Sequence, residues 1–257
     1  MIAAVAFIAW PATAPSAPQV AAPVAVSTPT ASTTSTTLPG GRTATVMALN
    51  GTRAAGLASR IRTELGTATA AVTDFWGDDW PRRVDIVIAA TDEEFVALSG
   101  GGGVDTAAMT TADRIVFAPG AVAMSDGALR IVLRHELFHY ASRAETAADA
   151  PRWLTEGVAD YVGRPSAPPP GRAVAASLAV LPTDADLGAA GPSRPLSYDR
   201  AWWFSRFVSD RYGPAALRRL YLAACAPGHA DVDTALREVL GADTTSVLAA
   251  WRTWLSG

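Results

Sequence analysis

Between residues 52 and 76 the apolar positions Leu57, Ile61, Leu65, Ala68 and Val72 recur every three or four residues, the spacing that lines one face of a helix. The pattern then shortens to RVDIVIA, 83–89, a β-branched run bounded by charge that predicts a strand. In TDEEFVAL, Thr91 or Asp92 is placed to cap a short helix. SGGGG at 99–103 predicts a flexible loop, and TAAMT and RIVFAP predict two strands joined by a turn around Asp113. Helical periodicity takes over from there. One helix is capped near Ser125 or Asp126 and runs to about Arg143, and a shorter one covers PRWLTEGVADYVG, with Pro151 suited to its first turn. After a proline-rich loop at 164–172, four more helical stretches follow from Leu196: SYDRAWWFSRFVSDRYG, PAALRRLYLAAC, DVDTALREVLG and TTSVLAAWRTWL. The expected class is α+β, with a small N-terminal sheet and a mostly helical C-terminal part, and no internal repeat.

The first 41 residues follow none of these periods. MIAAVAFIAW, 1–10, is apolar but well short of the roughly 18 residues of a membrane span. It reads as the remnant of a signal peptide or membrane anchor, or as an ordinary apolar terminus. Residues 11–41 are rich in Pro, Thr, Ser and Ala and carry no charge, the first charged side chain being Arg42. Such a segment has nothing to bury and predicts a solvated tether. The expected division is therefore 1–10, a tether over 11–41, and one folded domain over 42–257. An apolar start followed by a Ser/Thr/Pro stalk suits an extracytoplasmic protein, secreted or membrane-anchored.

Composition narrows the chemistry. A formal charge of −3 leaves no basic footprint, so nucleic acid is not an expected partner. The chain contains one cysteine, Cys225, which excludes an intrachain disulfide and a cysteine-rich zinc site. A monomer is expected.

The informative stretch is LRHELFHY, which holds two of the three histidines. On a helix His135 and His139 share a face one turn apart and can present both imidazoles to one ion. Glu136 projects from the next position, where it can act on a water beside the metal without being a ligand. A catalytic zinc commonly has three protein ligands and an open position. Glu156, in WLTEGVADYV, lies 17 residues after His139 on the next expected helix, which the intervening segment can fold back against the first. His229, in CAPGHAD, is the alternative third ligand. Asp160 shares a helical face with Glu156 and is placed to accept the other N–H of a metal-bound histidine. The bland reading, two solvated helix charges, fits poorly with their apolar neighbours.

HELFH followed by WLTEGVADYV resembles the gluzincin metallopeptidases, and among them the small extracytoplasmic peptidase MA-like domains. The likeness covers roughly residues 45–257 and is most specific at the metal motif. It implies a zincin-like fold and hydrolysis of peptide or protein substrates with Zn2+. His135, His139 and Glu156 would be ligands, Glu136 the general base and Asp160 the partner of a ligand histidine. Tyr198-Asp199-Arg200-Ala201 resembles the Tyr-Glu-Lys-Gly stretch of aminopeptidase-type relatives, whose tyrosine stabilises an oxyanion; equally, Tyr198 could anchor its helix to the core. No Gly-x-Met-Glu-Asn loop precedes the motif and GGGGVDTAAM lacks its glutamate, which favours an endopeptidase over an aminopeptidase. RIVFAP is expected to offer the sheet edge on which an extended peptide could pair. Two rivals stand beside this reading: a tethered binding module that keeps the zinc site without turnover, and a zinc hydrolase of non-peptide bonds.

Overall fold

In a computed structural model the described residues are 32–49, 52–101, 106–189, 191 and 193–257. Alternation builds the sheet. Strand β1 is Ser32–Leu38, β2 Arg42–Ala48, β3 Arg83–Ile88, β4 Ala108–Thr110 and β5 Ile115–Phe117, in the order β1-β2-β3-β5-β4. The outer pairs β1–β2 and β5–β4 are antiparallel, and the inner pairs β2–β3 and β3–β5 are parallel. Every second residue turns to the main core: Ala44, Val46 and Ala48 of β2, then Val84, Ile86 and Ile88 of β3. The opposite face carries a small cluster of Ala89, Phe95, Val116 and Ala118.

Ten α-helices lie among the described residues. They are α1 (Thr52–Trp76), α2 (Asp92–Ser99), α3 (Asp126–Ser142), α4 (Arg152–Gly163), α5 (Arg172–Leu178), α6 (Asp184–Gly188), α7 (Ser193–Tyr212), α8 (Pro214–Cys225), α9 (Val232–Leu240) and α10 (Thr244–Ser256). The fold is thus a mixed α and β one with a helical C-terminal half. α1, the crossover between the parallel strands β2 and β3, buries Leu57, Ile61, Leu65 and Val72 on the face its spacing predicts. Caps also sit where the sequence places them: Thr91 accepts from Glu94 N and Ser125 from Ala128 N. None of the helices is long and apolar enough to cross a membrane.

Two expectations change. Residues 32–41 are not tether. β1 pairs with β2 from Ser32↔Ala48 to Leu38↔Arg42, and Leu38 is buried. A polar edge strand exposed along most of its length gives no hydrophobic signal, although its threonines suit the pleat. The domain therefore extends to residue 32 at least, while 1–10 and 11–31 lie outside the described residues. RIVFAP, in turn, has no free edge, because β5 is hydrogen-bonded on both sides and the edge strand is β4. β2, α5 and α6 are further elements that the sequence pattern leaves unassigned.

Candidate metal centre

α3 carries His135, Glu136 and His139, and its opposite face locks into the core through Leu129, Leu133, Leu137 and Phe138, all fully buried. Behind it, Phe138 packs edge-on against Trp76 and Tyr221, with ring centroids 5.6 and 5.5 Å away. α4 lies between α3 and α7, and two glycines let it come close. A Cβ on Gly157 would stand 2.6 Å from the carbonyl oxygen of Ala201 in α7. One on Gly163 would stand 2.9 Å from that of Ile131 in α3. This close approach brings Glu156 and Asp160 to the histidines.

The donor atoms converge. His135 Nε2 lies 3.1 Å from His139 Nε2 and 3.3 Å from Glu156 Oε2, which in turn is 3.9 Å from His139 Nε2. Zinc bonds of about 2.0–2.2 Å at tetrahedral angles would set such atoms about 3.3–3.6 Å apart. Among the described residues these three form the one group of metal-ligating side chains dense enough to hold an ion. The chemistry of the set also fits. His135 Nδ1 is 2.9 Å from Asp160 Oδ1, so a proton on that nitrogen is directed at the carboxylate, and Nε2 faces inward, where the neutral imidazole would offer a metal its lone pair. Burial works to lower the His135 imidazole, but Asp160 and Glu156 outweigh it and raise it well above its usual value. Burial works to raise Glu156, and the His135 and His139 rings that face it hold it well below the usual carboxylate range. The negative field that retains a proton here is the field a cation would meet.

Glu136 occupies the next position of α3 and is buried, with 8% of the residue exposed. The Thr110 hydroxyl, on edge strand β4, lies 2.7 Å from Glu136 Oε2 and 2.9 Å from its carbonyl oxygen. Tyr198, on the second turn of α7, is buried with its hydroxyl 3.4 Å from Arg152 Nη2 and its ring beneath the Arg194 guanidinium. Burial, then the nearby Glu156 charge, push its phenol above the usual value. The tyrosine thus packs into the core, with its hydroxyl beside Arg152, one helical turn before Glu156. His229 stays outside the group: its Nδ1 faces the carbonyl of Ala230 at 2.8 Å and its Nε2 faces Asp149 at 3.6 Å.

No protein-family model matches the chain, and no curated protein matches its sequence. Among solved structures it is similar to an M1 zinc metallopeptidase from Deinococcus radiodurans, at 18% identity and a TM-score of 0.47. A mutant M1 zinc metallopeptidase from the same organism, bound to a Tyr-Ser-Ala substrate, is similar at 18% identity and a TM-score of 0.46. Each match covers 89% of this chain and 52% of the other, so the chain spans about half the length of the structures it resembles. Similarity at that level carries no chemistry across; the geometry of the site has to supply it.

Sequence reasoning misses three of the residues around the group. Arg152 Nε lies 3.7 Å from Glu156 Oε1. Arg164 Nη2 lies 2.6 Å from Asp160 Oδ2 and Nη1 lies 2.7 Å from Asp199 Oδ1. Arg152, Glu156, Asp160 and Arg164 are spaced by four along α4 and its C-cap, a stripe readable from the sequence. Its burial is not readable: the Asp160 and Arg164 side chains are each only 7% exposed. Burial works to raise Asp160, and the Arg164 charge, with the hydrogen bond from His135, keeps it below its usual value. Thr110 has no sequence signal, because its partner lies 26 residues away.

Proposed function

We propose that this chain is a zinc-dependent peptidase of the gluzincin kind, resembling peptidase MA-like domains, with a zincin-like fold. The observation that carries the reading is the convergence of three donor atoms within 4.8 Å, with the buried Glu136 at the next position of α3 after His135 and Asp160 behind that histidine. His135, His139 and Glu156 would hold the ion. Zinc bound there supplies Lewis acidity toward a carbonyl and makes a neighbouring water acidic near neutral pH.

The protein's own groups do the rest. Glu136 takes the proton of the attacking water and returns it to the leaving amine. Thr110 occupies Glu136 Oε2 and leaves Oε1 to face that proton. The Tyr198 hydroxyl donates to the developing oxyanion. An extended peptide would pair along the free edge of β4, which ends at Thr110. We assign an endopeptidase rather than an aminopeptidase, since GGGGVDTAAM supplies no glutamate for a free amino terminus. We infer an extracytoplasmic monomer, secreted or membrane-anchored through residues ahead of 32, from the apolar start and the Ser/Thr/Pro-rich stretch that follows it.

The test is metal analysis of the purified chain, followed by digestion of a mixed peptide library with and without chelator. About one zinc per chain and internal cleavages that stop with chelator are expected. Zinc held tightly with no cleavage across a broad library would hand the site to the binding-module reading. Stoichiometric zinc surviving in a His135→Ala, His139→Ala double variant would remove the metal centre altogether.

A further inference from the structure

The buried stripe of α4 continues beyond the metal group. His135 Nδ1 meets Asp160 Oδ1 at 2.9 Å, Asp160 Oδ2 meets Arg164 Nη2 at 2.6 Å, and Arg164 Nη1 meets Asp199 Oδ1 at 2.7 Å. Asp199 immediately follows Tyr198 on α7, and the Arg164 guanidinium also lies 5.1 Å over the ring of Trp202 on that helix. We propose that Arg164 is a positioning residue that couples the metal-ligand histidine to the tyrosine helix, so that Asp199, three contacts removed from His135, helps to set the affinity for zinc. The inference rests on the metal centre described above but not on peptide hydrolysis.

The physical argument is one of geometry and burial. A carboxylate can orient a ligand histidine only if its own rotamer is fixed. Asp160 has one oxygen on His135, and its other oxygen has Arg164 as the charged group facing it. Arg164 can do this because a guanidinium is a planar fork whose two terminal nitrogens reach different carboxylates at fixed angles. Asp199 fixes the second tine, and Trp202 supports the plane. With Asp199 neutralised, a buried cation faces Asp160 alone, and the fork is free to turn about that contact. Asp160 would then follow the arginine rather than the histidine. Lysine in place of Arg164 is a point charge and cannot satisfy two carboxylates from one rotamer.

The experiment is Zn2+ affinity by competition with a chromophoric chelator, on the full chain and on Asp199→Asn, Arg164→Lys and Asp210→Asn. The last removes a charge on the same helix that, among the described residues, pairs with Arg206. Asp199→Asn and Arg164→Lys are each expected to bind Zn2+ about 10-fold more weakly, the size of loss seen when the group behind a ligand is disturbed. Asp210→Asn should match the parent. Co2+ loaded into Asp199→Asn should show a changed visible spectrum, since the His135 ring is no longer held as before. A purely structural role would leave spectrum and affinity alone and lower only the melting temperature measured in chelator. Affinity in Asp199→Asn within twofold of the parent would overturn the proposal, even if Arg164→Lys fails to fold. A parent chain that binds no Zn2+ overturns this and the metal centre together. A parent that binds Zn2+ and cleaves nothing removes the peptidase reading alone.

Discussion

Glu136, one position from the proposed ligand His135, can be altered without touching the three proposed ligands. Glu136→Gln keeps size, shape and an acceptor for Thr110, and removes only the base. Zinc affinity should be unchanged, while peptide hydrolysis should fall by about 10²–10⁴-fold. A Glu136→Gln variant that cleaves as fast as the parent would end the proposed mechanism. Tyr198→Phe should lower kcat with little change in KM if its hydroxyl acts on the oxyanion. An unchanged kcat with a lowered melting temperature would identify an anchoring tyrosine instead. The single thiol shows the opposite kind of residue. Cys225 is fully buried in α8, and that burial pushes its thiol up to about 12. The folded chain holds this proton more tightly than the unfolded one, so Cys225 costs nothing below pH 9 and destabilises increasingly from pH 9 to about 12. At pH 8 it should resist alkylation until denaturant is added. Rapid labelling of the native protein would contradict that.

At the scale of elements, the placement of α4 decides whether there is a site. Alanine in place of a helical glycine normally gains about 1 kcal/mol of helix propensity. At Gly157 the added methyl would meet main-chain atoms of Ala201 at 2.6–2.8 Å, and overpacking of that kind costs about 1–3 kcal/mol. Space wins over propensity there, and Gly157→Ala should lower the melting temperature and shift Glu156 away from the histidines. Gly66, in the middle of α1, has nothing within 4 Å of a new Cβ, so Gly66→Ala should stabilise by about 0.5–1 kcal/mol. The two substitutions are chemically identical and opposite in sign. If both raise the melting temperature, the tight α4–α7 contact is not the constraint described.

For the whole molecule, the polar segment 32–41 is structured, as edge strand β1 and the short 3-10 turn, Pro39–Gly41, that joins it to β2. It buries Leu38, and it ends against Arg42, a fully buried cation bonded to Asp78 at 2.8 Å and stacked 3.8 Å over Trp80. Deleting residues 1–41 would therefore expose the edge of β2 and lose about 2 kcal/mol from Leu38 burial alone. At about 2–4 °C per kcal/mol for a domain of this size, the shortened chain should melt roughly 4–8 °C below one that begins at residue 32. It should also aggregate more readily through the bared edge. Equal melting temperatures for the two chains would return 32–41 to the tether.

Local chemistry alone determined much of this protein. Helical spacing marked α1, α3 and α4, Ser125 and Thr91 marked the starts of α3 and α2, and His135 and His139 were legible as a pair because residues four apart on a helix share a face whatever the rest of the chain does. Glu156 and Asp160 were legible at one remove, through their apolar setting on a second helix. What the sequence left undecided depends on partners distant along the chain. β1 is polar and exposed, so only its pairing with β2 makes it a strand. β4 rather than β5 is the edge because strand order is a tertiary property. Arg164, Thr110 and Gly157 look like an ordinary surface cation, a strand threonine and a helix breaker until α3, α4, α7 and the sheet are packed together. Burial then turns a charge four residues from an aspartate into the group that faces its second oxygen, because once water is excluded only another part of the chain can satisfy it.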